Sequence, residues 1–464
     1  VAYNYKQKYF LSVTLRRDAS SKFGENTRWG TFPSYAIAYT FSEEPYMDWA
    51  RDFLDFGKIR LSYGKSGKQF EYPYFAFGVL IVNNIPFHGN QTITPYWPNG
   101  LMNPKLSWEE TKQFDAGLDL EFFDNRLSFE LDYYYRYTDK LLAQVTLPGD
   151  YNAYSAQWQN AYAISNQGIE LQIKADLIRS EKLHWDFSFN IARNWNRLEK
   201  SNNGMDFNNL ASKHNLNIIG KPLNGIYVFN DQGYYNSQDE VPLYYVNGRR
   251  KYLSSLGNQI YSPGDRRIQD VDGNGQVATI IPLLEDRVYG GSPLPLAFGG
   301  IASTLKWKGI DVNLLFSYKL GRHVLNAGRG ASVGTILRAN TAEMMVPILA
   351  DLDKVSFWQK PGDNADFPIN ELENGKNNFA TNLKSNVEKI NYLKLKSISI
   401  GYILPVFPKQ SKHYARVFMS VENVFTITNS SSPDPESIDI VTGVDSNNNY
   451  PLATRFTLGL TLNL

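Results

Sequence analysis

The sequence predicts an all-β protein: a transmembrane antiparallel β-barrel, of which about twelve strands are present, with long extracellular loops. Three observations predict it. The first is the hairpin Gln113–Leu142, in which Phe114, Ala116, Leu118, Leu120 and Phe122 alternate with Gln113, Asp115, Gly117, Asp119 and Glu121. After a tight turn at Asp124-Asn125, Leu127, Phe129, Leu131, Tyr133, Tyr135 and Tyr137 alternate with Ser128, Glu130, Asp132, Tyr134, Arg136 and Thr138. Strict period-two alternation gives each strand one apolar and one polar face. Strands of soluble sandwiches run about 5–6 residues, whereas these reach the 9–11 or so that a tilted membrane strand needs. The second observation is that long and short connections alternate along the chain, as they do where a barrel places short turns at the periplasm and long loops outside. The third is an aromatic content of 14%, with Tyr 30 and Phe 27, in a chain without an apolar run of helix-spanning length. A mean hydropathy of −0.38 excludes a helical membrane protein but not a barrel, whose strands are half polar.

Taken in order, Tyr9, Leu11, Val13 and Leu15 mark the first strand, and Arg16 to Thr31 is a polar loop. Tyr35, Ile37, Tyr39 and Phe41 give the second, Ser42–Phe56 is a connection of helical character, and Ile59, Leu61 and Tyr63 give the third. A long Asn-, Pro- and aromatic-rich stretch then reaches Trp108. The hairpin above supplies strands four and five, and a loop runs from about Ala143 to Ser165. Ile169, Leu171, Ile173, Ala175 and Leu177 form strand six, and Leu183, Trp185, Phe187, Phe189 and Ile191 strand seven. The largest insertion spans Leu198 to Pro293. Strand eight covers Leu296–Trp307, Lys308-Gly309 turns, and Ile310, Val312, Leu314, Phe316, Tyr318 and Leu320 form strand nine. A second insertion, Gly321–Lys389, carries a helical piece near Thr335–Leu352. Strand ten changes parity between Leu395 and Ile398, which predicts a β-bulge near Ser397. Strand eleven lies around Ala415–Thr428 and the last alternates through Phe456, Leu458, Leu460, Leu462 and Leu464. The strand parity places Leu127, Phe129, Leu131, Tyr133, Val312, Leu314, Phe316, Leu458, Leu460 and Leu462 toward lipid.

The totals narrow the function. With 47 basic against 46 acidic residues, the net charge of +1 offers nucleic acid no electrostatic footing. The absence of cysteine closes disulfide and thiolate-metal chemistry. The chain starts Val-Ala-Tyr-Asn-Tyr and enters a strand almost at once, which reads as a piece of a larger protein or a processed product.

One motif carries metal chemistry. Asp270, Asp272 and Asn274, then Gly275 and the Gln276 carbonyl, occupy positions one, three, five, six and seven of a calcium loop. Position twelve is Ile281, so Glu285 or Asp286 must supply the closing carboxylate. The competing reading is an Asx-rich turn without an ion. Gly330-Ala-Ser332-Val-Gly334 matches G-x-S-x-G, with Asp351 and His413 following in hydrolase order, but no buried strand precedes it, so no enzyme is expected. Gly64-Lys65-Ser66-Gly67-Lys68 lacks the upstream Gly of a P-loop. Loop aromatics Tyr72, Tyr74, Trp97, Tyr151, Tyr154 and Trp158 are candidates for stacking on a ligand, of which Trp97, Tyr151, Tyr154 and Trp158 are retained; rings of this kind more often pack loops together.

Several segments together resemble the SusC/RagA family of TonB-dependent outer-membrane transporters of Bacteroidetes. They are Arg16–Ser34, Lys58–Gly67, Asn103–Leu142, Ile164–Leu171, Gly220–Phe229, Pro263–Gly275, Gly291–Gly300, Asn391–Pro405, Ser420–Thr428 and Arg455–Leu464. Their order and spacing cover nearly the whole chain. The resemblance implies that residues 1–464 are the C-terminal portion of a barrel of about twenty-two strands, with the plug domain and first strands not included. It implies active import of a nutrient oligomer, oligosaccharide before peptide. A SusD-like surface lipoprotein would act as lid, and the TonB-ExbB-ExbD complex would act through the plug. The chain ends in Leu464 where many outer-membrane barrels end in Phe. The alternatives are a passive or autotransporter-like barrel, which paired first and last strands would support, and a β-rich surface adhesin, which a polar outer belt would support.

Overall fold

The computed structural model describes residues 1–71, 76, 81–87, 90–96, 101–147, 156–202, 207–208, 214–246, 248–255, 258–277, 286–328, 356–369, 382–404, 414–446 and 450–463. Its frame is one 14-stranded sheet. We number the strands along its antiparallel path. They are β1 (Ala2–Tyr5), β2 (Tyr9–Ala19), β3 (Trp29–Thr40), β4 (Leu54–Lys68), β5 (Glu109–Phe122), β6 (Leu127–Thr146) and β7 (Ala156–Arg179). There follow β8 (Leu183–Lys200), β9 (Ala297–Trp307), β10 (Ile310–Asn326), β11 (Val387–Leu404), β12 (Tyr414–Thr428) and β13 (Arg455–Asn463). Each pairs with its neighbour in the chain, and the short strand Val444–Asp445 adds in parallel to the end of β10. Among the described residues β1 and β13 each have one partner, so the sheet is open.

Register converts the alternation into two continuous faces. On one, Tyr39, Ile59, Leu118, Leu131, Leu171 and Ile191 lie in a single row across β3 to β8. The next row runs Phe129, Ile173, Phe189, Ile301, Phe316, Leu395 and Phe425 across β6 to β12. Val312 continues through Ile400 and Met419 to Leu458. The apolar residues assigned to one face from sequence therefore share it, and many stay exposed: Leu131 is 41% and Leu458 78% accessible. The other face is charged. Arg60 clasps Asp119 with two bonds of 2.8 and 2.7 Å and reaches Asp132 at 3.0 Å, Lys174 meets Glu130 at 3.4 Å, and Arg416 donates to Asp311 at 2.8 Å.

The bulge of β11 falls at Lys396, which has no partner in the ladder to β10: Leu395 pairs with Phe316 and Ser397 with Leu315. It returns Ile398 and Ile400 to the face that Leu393 and Leu395 already occupy. The connection after β3 is indeed helical, as two 3-10 turns, Phe41–Glu43 and Pro45–Ala50. The Asp124-Asn125 turn takes left-handed backbone at Phe123, Asp124 and Asn125, φ 58, 57 and 58°. Two features go beyond the expectation. β1 precedes the strand read as first, turning through Lys6 and Gln7 at φ 52 and 55°. β6 and β7 run 20 and 24 residues, so most of the loop expected at 143–165 is strand. At about 3.3 Å per residue β7 spans roughly 80 Å, more than a tilted crossing of a hydrocarbon core about 30 Å thick requires. The helical piece expected at Thr335–Leu352 lies outside the described residues.

Candidate functional site

The connections after β4, β8, β10 and β12 leave the same end of the sheet, and those after β8 and β10 fold together there. Phe229, Tyr235, Val241, Leu253, Tyr261, Ile268, Val277 and Leu383 form a core of their own, each at most 2% exposed. Seven of them come from the insertion after β8, and Leu383 comes from the insertion after β10. A second cluster welds this body to the sheet: Ile226 and Val228 pack on Leu325 and Ala327 at the end of β10, with Val288, Val387 and Val444 against them. A third cluster at the same end joins Phe23, Phe32, Phe70, Leu106 and Trp108.

The connection after β12 is drawn onto the charged face. Lys394 of β11 is 3% exposed and bonds Asp434 at 3.1 Å and Glu436 at 3.0 Å; Lys396 reaches Glu436 at 2.8 Å. Arg322, 1% exposed, donates to the carbonyls of Pro293 and Asp439. Burial by itself raises the Asp434 and Glu436 carboxyls. For Asp434 the Glu436 N–H and then the Lys394 ammonium outweigh burial; for Glu436 the two lysines do. Both groups lie below their ordinary values. The connection is thus a fixed inner ledge.

In the loop body Asp270, Asp272 and Asp286 bring carboxylate oxygens within 4.8 Å of one another. The turn is built by its own side chains. Asp270 accepts from the N–H groups of Gly273 and Gly275, both 2.8 Å; Asp272 accepts from Asn274 N–H at 3.0 Å; and Asn274 Oδ1 accepts from Gln276 N–H at 2.7 Å. Gly273 and Gly275 take φ 73 and 81°, which the curl demands. Asp286, fully buried, accepts from Val271 N–H at 2.9 Å and so lies beside the loop. Glu285 lies outside the described residues. Burial, then the Asp270 charge, push the nearby Tyr244 phenol up to about 12.

A polar hollow of about 690 Å³ opens between the strands Asp231–Tyr234 and Arg266–Ile268 and the turn at 360–366. Arg266 lies 5.4 Å from the Tyr234 ring centre and pairs with Asp231 at 3.0 Å. Carboxylates, amides and guanidinium around an aromatic ring suit a ligand rich in hydroxyl or amide groups. Of the aromatic residues picked from sequence, Trp158 packs on Phe70 at 5.0 Å, against the third cluster. Tyr72, Tyr74, Trp97, Tyr151 and Tyr154 lie outside the described residues, as do Gly330–Gly334, Asp351 and His413. Sequence reasoning missed the core of the loop body and its hairpin Leu243–Val246 with Arg249–Tyr252, although Asn247-Gly248 between them is a strong turn signal. It also missed the ledge, whose ion pairs join residues 40 apart.

The model of the TonB dependent receptor-like β-barrel family matches residues 1–327. A TonB-dependent receptor of Formosa agariphila, P3, is 29% identical over 100% of this chain and 44% of its own length. TonB-dependent receptor SusC of Bacteroides thetaiotaomicron is 27% identical over 99% of this chain and 42% of its own. The chain thus spans less than half the length of these relatives. Among solved structures, the RagAB peptide transporter superposes with a TM-score of 0.74 at 23% identity, covering 99% of this chain and 46% of that one. With a family model matched over most of the chain, and one apolar and one charged face carried across the whole sheet, this chain belongs to the TonB-dependent receptor β-barrel family and is part of an outer-membrane barrel.

Proposed function

We propose that the chain forms the wall and extracellular loop body of an active importer that takes up a nutrient oligomer, oligosaccharide before peptide. A SusD-like surface lipoprotein is its lid, and TonB-ExbB-ExbD acts through a plug elsewhere in the full protein. One observation carries the reading: the long connections gather at one end as a body with its own core, welded to the wall. A pore that only filtered would have no need of such a platform. Among the described residues β1 and β13 do not pair with each other, which favours a barrel completed by further strands over a barrel closed by these alone, and the exposed apolar face argues against an adhesin. The polar hollow beside Tyr234 is the ligand contact this reading places in the loop body. The test is gentle detergent extraction of the native, untagged protein followed by mass spectrometry. A surface lipoprotein is expected in equal amount; a barrel that migrates alone defeats the reading.

The Asp270 loop completes the proposal. Asp270, Asp272, Asn274, the Gln276 carbonyl and Asp286 offer the all-oxygen set that Ca²⁺ takes at about 2.3–2.6 Å, and the role is structural. Chelation is expected to speed hydrogen exchange across residues 254–277, and Asp270→Asn to do so without chelator. Unchanged exchange after chelation returns the loop to an Asx turn stabilised by its own side chains.

A further inference from the structure

A second set of side chains of metal-ligating type lies at the opposite, short-turn end of the wall, far from the loop body in the sheet. Asp176 near the end of β7 and His184 and Asp186 at the start of β8 bring one imidazole nitrogen and two carboxylate oxygens within 4.8 Å of one another. His184 Nε2 is 2.9 Å from Asp186 Oδ1. All three are partly buried, with side chains 29 to 38% exposed. A β-bulge makes the convergence possible. Trp185 pairs with Ile178 but Asp186 pairs with Asp176, so Leu177 is left without a partner and the two aspartates stand directly opposite in the ladder. Like charges directly opposite each other destabilise a sheet, and bulges recur where a side chain is re-aimed for a task.

The neighbouring charges give only part of the compensation. Arg179 approaches Asp176 at 4.0 Å and is 59% exposed. Arg126 spends its guanidinium on the carbonyls of Asp176 and Leu177 rather than on a carboxylate. Lys306 is the ladder partner of His184, and its charge acts on Asp186.

We propose that Asp176, His184 and Asp186 bind a first-row divalent cation, with Zn²⁺ the best fit, on the charged face at the short-turn end. One nitrogen and two carboxylate donors match zinc, with a fourth position left to water. The donor set separates this site from the Asp270 loop, whose all-oxygen ligands suit a harder ion. The ion would neutralise the opposed aspartates and staple the turn between β7 and β8.

The test uses the intact transporter, stripped with chelator, dialysed against Zn²⁺ and then against buffer, with bound metal counted by plasma mass spectrometry. One equivalent is expected, with an X-ray absorption spectrum showing nitrogen and oxygen neighbours at about 2.0–2.2 Å. His184→Ala and Asp176→Asn should each abolish it. Arg179→Gln, which removes the competing cation, should tighten binding several-fold. Zinc that stays bound in both ligand variants, no zinc in the wild-type protein, or an Arg179→Gln protein that binds no tighter overturns the proposal and leaves a His–Asp ion pair.

Discussion

Lys394→Met is expected to destabilise the loop end of the wall by about 3–5 kcal/mol, the range for removing one partner of a buried ion pair. Lys394 is 3% exposed and holds two carboxylates, Asp434 and Glu436. Without it Lys396, 33% exposed and 2.8 Å from Glu436, is the ion-pair partner left to them. The measurement is limited proteolysis within residues 429–446 alongside the thermal midpoint in detergent. The triple change Lys394→Met, Asp434→Asn and Glu436→Gln should recover most of the loss, because the cost is the uncompensated charge. The pH dependence has a definite sign. Both carboxyls lie below their ordinary values in the folded protein, so their contribution is complete above the usual carboxylate range of about 4 and is lost as pH falls through the lower folded values. A Lys394→Met protein as resistant as wild type would show that the backbone bonds of Arg322 hold the ledge by themselves.

The second large effect concerns the apolar face. Leu131→Arg should cost about 2–4 kcal/mol if the residue lies near the bilayer midplane. Leu131 sits between Leu118 and Leu171 on the face that carries the apolar rows. Its chain neighbour Glu130 points to the charged side and meets Lys174. Glu130→Gln should therefore change stability by less than about 1 kcal/mol, as exposed pairs do. Unfolding titrations in lipid vesicles compare the two. Equal, small effects would place Leu131 in a wet interior.

What was legible in the sequence was whatever repeats at short range. Alternation around Leu118 and Leu131 gave strands and faces, and the parity change between Leu395 and Ile398 located the bulge to within one residue of Lys396. The turn at Asp270, Asp272 and Asn274 was readable because its spacing lies within a single turn, and the structure sets Asp286 beside it. The ledge was not readable. Lys394 and Asp434 look like two ordinary surface charges until β11, β12 and the connection after it are folded together. The core of the loop body was hidden for a related reason. Phe229, Tyr261 and Leu383 belong to no periodic run, and short irregular strands such as Arg266–Ile268 carry too few residues to show a period. The bulge at Leu177 was missed because the alternation holds up to Leu177 and only one residue beyond it, Ile178, takes the new parity before the turn.

Along its antiparallel path the wall joins each described strand to its neighbours in the chain, and this separates two kinds of evolutionary change. Stretching a tight turn into an insertion of about a hundred residues is roughly five doublings of loop length, some 3 kcal/mol of closure entropy. The loop body repays a debt of that size with its own buried residues, so β8 and β9 need not change register to accommodate it. Selection can therefore rewrite the connections for new cargo while the strands are held to the demands of the lipid, and divergence among relatives should concentrate between strands rather than within them.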